Sequence, residues 1–182
     1  MDNLIIDVRN NQGGDFAPAI YLLSHLLNQP FEYFSDLKSV AGKNDTALIL
    51  KTQTGRMLGT NKPTKNPYNG KLFVLINGGC FSNTASFCSR IEFYKRGIFI
   101  GEETGGNKVV FSGEFGLKGN TVLPNTKINC ENANYQMTVT DIKENTGHGV
   151  MPTHLIIPTI NDIINNKDVV MDYAFGLINE IK

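Results

Sequence analysis

The sequence contains 182 residues, of which 41% are hydrophobic, and this length supports one well-buried core but not two full-sized domains. Seventeen Lys and Arg residues balance seventeen Asp and Glu residues, and the basic residues form no stripe that would follow phosphates, so we expect no nucleic-acid partner. No apolar run approaches the roughly 18 to 20 residues that a membrane span needs.

The first strand candidate, LIIDV at residues 4–8, begins almost at the first residue. A polar turn with two glycines follows at residues 9–15, and apolar side chains then recur at helical spacing from Phe16 to Leu27. We predict a strand, a tight glycine turn and a helix. Because a core strand opens the sequence, we also expect that an upstream region of the protein is missing from it.

A second unit repeats this pattern. KLFVLI at residues 71–76 predicts a strand, NGGCFS at residues 77–82 a turn, and the apolar spacing from Ala85 to Tyr94 a helix. IFIG at residues 98–101 predicts a third strand. Together these units predict an α/β core with parallel strands, in which the polar turns gather at the carboxyl ends of the strands.

The remaining segments predict a less regular structure. Residues 30–68 contain polar turns and short β-like pieces, and we interpret them as a long excursion over the surface. The second half is rich in strand candidates between Gly and Asn turns, at residues 108–111, 121–123, 135–140 and 154–158. The apolar spacing after residue 168 predicts a closing amphipathic helix.

The three cysteines, Cys80, Cys88 and Cys130, lack the paired spacing of a zinc site, and we predict buried or free thiols. Cys80 stands two residues before Ser82, but no local His or carboxylate would activate it as a nucleophile. Zinc-peptidase and nucleotide-binding motifs are also missing from the sequence, so we expect no metal and no cofactor.

Ser82 stands where the second strand gives way to a helix, and this position has two interpretations. Serine is a common helix N-cap, although Ala85 excludes a capping box. Alternatively, Ser82 is a nucleophile exposed on a sharp turn. The amide of Asn83 and an amide of Gly13 or Gly14 would then stabilise an oxyanion.

Four segments resemble the motifs of one enzyme family: LIIDVRNNQGGD, VLINGGCFSNTA, IFIGEETGGN and GHGVMPTHLIIPT. They are similar in order and spacing to those of the tail-specific, or C-terminal processing, serine peptidases, which include the tricorn core protease and interphotoreceptor retinoid-binding protein. The resemblance covers nearly the whole chain. It implies a Clp protease/crotonase-like spiral of strand-turn-helix units with a β-rich second half, and residues 1–182 would form a single catalytic domain.

The resemblance also implies roles for particular residues. Ser82 matches the nucleophile, Asn83 the residue whose amide helps to form the oxyanion hole, and Gly13 and Gly14 the loop that supplies the other donor. The implied substrates are proteins or peptides, often cut near an apolar C-terminus. The implied location is the bacterial cell envelope, the periplasm or the outside of the cell.

The general base is the point at which this sequence departs from the C-terminal processing branch. That branch has a lysine directly after the glycine that matches Gly106, whereas this sequence has Asn107 there and Lys108 one position later. A shift of one residue would turn the amine to the other face of a strand, unless a bulge restores it, so Lys108 is either the base or a solvated lysine. The tricorn-like branch uses an upstream His, and Glu144 matches the Glu that helps to orient it. We prefer this second possibility.

Two further alternatives follow from the sequence. His148 stands where the family usually has Arg, His25 lies in a helical segment and His154 in a strand-like one, so none of the three histidines is a strong candidate for the base. Separately, Thr153 replaces the Asp that the family usually has after the proline that matches Pro152. Asn107 also allows a different function, a non-catalytic peptide- or ligand-binding module on the same fold.

Overall fold

The structure is a computed structural model that describes residues 1–39, 58–112, 119–132, 135–138 and 147–180. Its helices are α1 (Phe16–Leu26), α2 (Asn83–Phe93), α3 (Ile160–Ile164) and α4 (Val169–Glu180). In chain order its strands are β1 (Asn3–Asp7), β2 (Phe31–Glu32), β3 (Asp36–Ser39), β4 (Thr60–Asn61), β5 (Lys71–Ile76), β6 (Ile98–Gly101), β7 (Val109–Ser112), β8 (Gly119–Val122), β9 (Asn129–Asn132), β10 (Tyr135–Thr138) and β11 (His154–Leu155). Within these ranges, no helix is both long and apolar enough to cross a membrane.

A parallel sheet in the order β1-β5-β6-β11 forms the centre of the fold. The register aligns Asp7 with Leu75 and Ile76 with Gly101, so that β1, β5 and β6 end at the same edge of the sheet. The prediction of an α/β core with parallel strands is confirmed. The turns after β1 and β5, named here the glycine loop (residues 9–15) and the serine turn (residues 77–82), therefore lie side by side.

Both faces of the central sheet are covered, which explains why β5 is apolar at successive positions. Leu72, Val74 and Ile76 belong to the core cluster that includes α1 and α2. The intervening Phe73 and Leu75 belong to a second cluster, which includes α4. All five side chains are at most 2% exposed. The period-two alternation of a strand thus divides β5 between two apolar layers.

The beginning of the segment at residues 30–68 corrects its interpretation as a surface excursion. Phe31, Tyr33 and Phe34 are at most 1% exposed, and the rings of Phe16 and Phe34 pack edge to face with centroids 5.4 Å apart. These aromatic side chains close one end of the core beside α1. The run was misinterpreted because it is too short to show helical or strand periodicity. Residues 40–57 lie outside the described part of the chain.

The second half contains the short strands that its sequence predicted. An antiparallel sheet has the order β3-β10-β7, β8 pairs with β9, and β11 extends the central sheet beside β6. The first of these strands begins at Val109, one residue later than predicted, so that Lys108 precedes it. The chain ends in the predicted closing helix, α4.

A bidentate ion pair attaches α4 to the carboxyl end of β1. Both terminal nitrogens of Arg9 donate to the Asp168 carboxylate at 2.7 Å, and the same carboxylate accepts the amide of Met171 in the first turn of α4 at 3.0 Å. The guanidinium of Arg9, more than any other group, lowers the pKa of Asp168 to about 2. The ionised carboxylate therefore stabilises the folded state.

We predict that Asp168→Asn lowers the free energy of unfolding by about 1 kcal/mol at pH 7, a small value because this carboxylate is 46% exposed and solvent screens the pair. Because the folded pKa is depressed, the contribution is present above the unfolded pKa of about 4 and disappears as the pH falls to about 2. Urea unfolding between pH 7 and pH 2 measures the difference. Asp172→Asn, in the first turn of α4, is the control, and an equal loss in both variants would contradict the prediction.

Candidate active site

Ser82 occupies the N-cap position of α2 without acting as a cap. Its side chain makes no capping hydrogen bond, whereas Asp15 and Thr159 cap their helices through side-chain oxygens. The backbone of Ser82 has φ 51° and ψ −123°, a conformation that costs a non-glycine residue about 1 to 3 kcal/mol. The helix thus leaves the hydroxyl unused, on a strained and half-buried turn. This geometry favours the nucleophile interpretation over the cap.

Asparagine side chains fix the serine turn against the glycine loop. The Asn77 carboxamide oxygen accepts the amides of Asn10 and Gly79 at 2.9 and 3.0 Å, and the Asn77 Nδ2 donates to Asn10 at 3.1 Å. The amide of Phe81 donates to the Asn11 carbonyl at 3.1 Å. Hydrogen bonds donated from each turn to the other therefore join the two turns. Ser82 comes directly after the last of the bonded residues, Phe81.

The approach of the glycine loop to Ser82 requires glycine. Gly13 and Gly14 have φ values of 100° and 129°, a region that other residues rarely occupy. A Cβ atom at Gly13 would lie 2.7 Å from the amide nitrogen of Asn83 and 3.0 Å from the Cβ of Ser82. The loop backbone is thus in contact with the start of α2.

Hydrogen bonding distinguishes the two glycines as oxyanion donors. The Gly13 N–H donates to the side chain of Asn11 at 2.9 Å, and Thr84 donates its hydroxyl to the same oxygen at 2.8 Å. Within the described residues, the Gly14 N–H has no such acceptor, and the Asn83 N–H, at the first position of α2, has no intrahelical one. Of these described groups, the Asn83 N–H, directly after Ser82, and the Gly14 N–H in the glycine loop are therefore the candidate donors.

A third turn, after β6, completes the surroundings of Ser82. The Gly106 amide donates to the Cys80 carbonyl at 2.9 Å, and a Cβ atom at Gly106 would lie 3.0 Å from the Ser82 nitrogen. The buried Thr104 hydroxyl donates to the Gly106 carbonyl at 3.0 Å and accepts the Val150 amide at 2.8 Å. The GEETGG and GHGV motifs thus support the serine turn from the side opposite the glycine loop.

Lys108 is directed away from Ser82. Its Nζ lies 2.5 Å from the carboxylate of Glu92, near the C-terminal end of α2. Glu92 follows Ser82 by ten positions, which corresponds to about 15 Å along a helix. The structure therefore does not bring the Lys108 amine to the serine hydroxyl. Glu144, the other predicted acidic or basic group, lies outside the described residues.

The three histidines contact groups other than Ser82. His148 Nδ1 lies 3.0 Å from Glu103, His25 Nδ1 lies 3.0 Å from the Tyr21 carbonyl, and His154 Nδ1 lies 3.1 Å from the Tyr173 hydroxyl. The hydrogen bond from the Gly149 amide is the main cause that lowers the pKa of Glu103, and the contact with His148 is the second cause. Within the described residues, none of these rings is hydrogen-bonded to the serine.

Cys80, which stands beside the site in sequence, is completely buried. Its thiol donates to the Val8 carbonyl at 3.1 Å, and burial raises its pKa. A buried thiol of raised pKa is a poor nucleophile. Within the described residues, no three His, Cys, Asp or Glu side chains group as metal ligands would.

A cleft of about 290 Å³ opens between the glycine loop, α1 and the start of α2. Gly13 and Asn83 form part of its wall, together with the polar side chains of Asn11, Asp15 and Thr84. Its apolar lining consists of Val8, Pro18, Ala19, Leu22 and Phe87. An apolar side chain of a ligand would fit beside the amides.

Sequence reasoning located Ser82, Asn83 and the glycine pair but missed the residues that hold them. Asn11 and Thr84 both lie inside the matched motifs, so their polar side chains could have been noticed there. Tyr33, whose hydroxyl contacts Asn83, lies in a segment that carries no motif.

We predict that Gly13→Ala lowers the free energy of unfolding by about 2 to 3 kcal/mol, because the new Cβ meets backbone and the φ is unfavourable. Gly78→Ala in the serine turn is the control, since a Cβ there has no neighbour within 4 Å, and we expect a change within about 0.5 kcal/mol. Urea unfolding measures both. Equal stability of the two variants would show that the glycine loop is not in close contact with Ser82.

The comparisons with known proteins agree with this arrangement. The family model of peptidase family S41 matches residues 1–156. A comparison with curated proteins finds no match.

Three solved structures show the same fold. A protein from Parabacteroides merdae described as a candidate peptidase is 21% identical, with a TM-score of 0.61, and the match covers 97% of this chain and 51% of that one. The photosystem II D1 C-terminal processing protease is 19% identical, with a TM-score of 0.51, and the match covers 88% of this chain and 36% of that one. The tricorn protease is 21% identical, with a TM-score of 0.53, and the match covers 98% of this chain and 15% of that one. The chain thus spans about half the length of the first of these proteins and less of the others.

The match to the family model extends over most of the chain and includes the glycine loop, the serine turn and the turn after β6. The resemblance of the sequence to the C-terminal processing and tricorn-type peptidases is confirmed. The chain belongs to peptidase family S41.

Proposed function

We propose that this chain is the catalytic domain of a serine endopeptidase, in which the Ser82 hydroxyl attacks the carbonyl of a peptide bond. The observation that carries this proposal is the conformation of Ser82, which is strained and uncapped beside the glycine loop. Strain of this kind persists only where surrounding contacts maintain it, and it is common at active sites. The family assignment supports the same function.

The mechanism follows from the groups around the serine. A general base takes the proton from the Ser82 Oγ as the oxygen bonds to the peptide carbonyl carbon, and the carbonyl oxygen becomes negatively charged. The N–H groups of Asn83 and Gly14 donate to this oxyanion. Collapse of the intermediate breaks the C–N bond, the base returns its proton to the leaving amine, and water then hydrolyses the acyl-enzyme.

The base, in this proposal, is a His from an upstream region of the same protein, oriented with the help of Glu144. Two observations support a base that lies outside residues 1–182. The Lys108 amine is paired with Glu92, and the chain corresponds to only part of each matched structure. Residues 1–182 are then one catalytic domain whose partner is that upstream region.

The proposed substrates are proteins or peptides with an apolar side chain next to the cleaved bond. The apolar lining of the cleft beside Gly13 and Asn83 supports this preference, since such a side chain would be buried there. By analogy with the family, we propose that the protein acts in the bacterial cell envelope or periplasm, or outside the cell.

We predict that a fluorophosphonate labels one serine, Ser82, when the upstream region is present. Intact-mass measurement should show one adduct in the full-length protein and none in Ser82→Ala. Ser86→Ala and Ser89→Ala are the controls, because both hydroxyls are buried on α2, and both variants should still be labelled. Residues 1–182 alone, called here the short chain, should react much more slowly than the full-length protein.

Other outcomes would contradict particular parts of the proposal. Equal labelling of the short chain would place the base within residues 1–182. Failure of every form to react would favour the non-catalytic binding module.

The alternative prediction, that the Lys108 amine is the general base, is tested by one variant. Because the Lys108 amine is paired with Glu92, Lys108→Gln should change the labelling rate of the full-length protein by less than about twofold. Loss of a general base typically lowers the rate by about 10² to 10⁴. Lys95→Gln, an exposed lysine just after α2, is the control. A fall of that size confined to Lys108→Gln would identify Lys108 as the base.

A further inference from the structure

The side chain of Asn83 is bonded at both ends in the interior of the protein. Its Nδ2 donates to the Asp15 carbonyl at 2.7 Å, and its Oδ1 accepts the Tyr33 hydroxyl at 2.5 Å. Asn83 is 5% exposed and Tyr33 is completely buried. The donor end meets an acceptor and the acceptor end meets a donor, so the carboxamide has one satisfied orientation. It therefore connects the start of α2 to both the end of the glycine loop and Tyr33.

The ring of Tyr33 is held on two sides by other aromatic rings. It packs edge to face against Phe34 and Phe16, with centroids 5.0 and 6.0 Å away. Burial raises the pKa of Tyr33 well above the ordinary value, so the hydroxyl stays protonated and can donate throughout the neutral range. A donor on a fixed ring defines the position of its acceptor more narrowly than a mobile side chain would.

We propose that Tyr33 is a positioning residue for the oxyanion hole. It acts through the Asn83 side chain to hold the Asn83 N–H where, together with the Gly14 N–H, it can donate to the oxyanion. The inference rests on the proposed function and adds a residue that no motif contains. Oxyanion donors are effective because they are fixed in advance at the place where charge develops. A small displacement of one donor therefore slows the chemical step without weakening substrate binding to the same extent.

A second set of hydrogen bonds holds the glycine loop against the start of α2 when the Tyr33 hydroxyl is removed. Thr84 and Gly13 both donate to the Asn11 side-chain oxygen, and this bond set is independent of Tyr33. A Tyr33→Phe variant should therefore remain folded, with the Asn83 carboxamide released at one end.

The test measures the fluorophosphonate reaction of the full-length protein at several probe concentrations, which separates the limiting rate, kinact, from the half-saturation constant, KI. Removal of a whole oxyanion donor lowers rates by about 10² to 10³, so we expect Tyr33→Phe to lower kinact by about tenfold and to change KI by less than twofold. Tyr68→Phe is the matched control. Its hydroxyl donates to the Lys71 carbonyl at 3.1 Å, at the opposite end of β5 from Ser82, and kinact should be unchanged.

A second variant keeps the test decisive if Tyr33→Phe is poorly folded. Asn83→Ala retains the backbone N–H and loses both side-chain bonds, and it should lower kinact at least as much. Adding Tyr33→Phe to Asn83→Ala should then cause no further fall beyond about twofold, because the two changes break one connection.

The outcomes separate this inference from the proposed function. Wild-type labelling at Ser82 with an unchanged kinact in folded Tyr33→Phe would overturn the role of Tyr33 alone. Additive effects of Tyr33→Phe and Asn83→Ala would also overturn it. No reaction of the wild-type protein at Ser82 would overturn the proposed function and this inference with it.

Discussion

The site depends on one contact, the approach of the glycine-loop backbone to the first residues of α2. The parallel register of β1 and β5 brings the two turns to one edge of the sheet, and the missing side chain at Gly13 lets their backbones meet. Asn11 then fixes the distance, because its side-chain oxygen accepts from Gly13 and Thr84 together. Two distant parts of the sequence, each with a candidate amide donor, are thereby held together at the turn that carries Ser82.

The same contact explains how the chain maintains Ser82 in a strained conformation. The Ser82 carbonyl accepts the amide of Ser86 at 3.1 Å, the Thr84 amide donates to the Phe81 carbonyl at 3.1 Å, and Gly106 holds Cys80 from the other side. Each bond contributes about 1 kcal/mol, so together they offset a strain of about 1 to 3 kcal/mol. The Ser82 hydroxyl therefore stays free of the capping hydrogen bond that a serine at this position usually makes.

Local sequence patterns predicted the parts of the molecule that local forces determine. The apolar run of β5 and the helical spacing of α2 defined the second strand-turn-helix unit, and paired glycines marked the turns that need positive φ or close approach. The position of Ser82 between strand and helix allowed either a cap or a nucleophile, and the resemblance to the peptidase family favoured the nucleophile. These features depend on side-chain period and backbone freedom, which are visible in a short window of sequence.

Contacts between distant segments could not be predicted in this way. Tyr33 is 50 residues from Asn83, and the aromatic run around it shows no period, so the run was taken for surface. The direction of Lys108 depends on Glu92, 16 positions earlier, and on the residue at which β7 begins. The Asn11 side chain bonds to Thr84, 73 residues away. Each of these positions is determined by tertiary packing rather than by local preference.

The most direct test of the oxyanion hole is a crystal structure of the full-length protein with a phosphonate bonded to Ser82. The account predicts a phosphonyl oxygen within about 2.7 to 3.1 Å of the Asn83 and Gly14 nitrogens, with the Gly13 N–H still donating to Asn11. A phosphonyl oxygen that faces solvent, or that accepts from Gly13 after its bond to Asn11 has broken, would contradict the account.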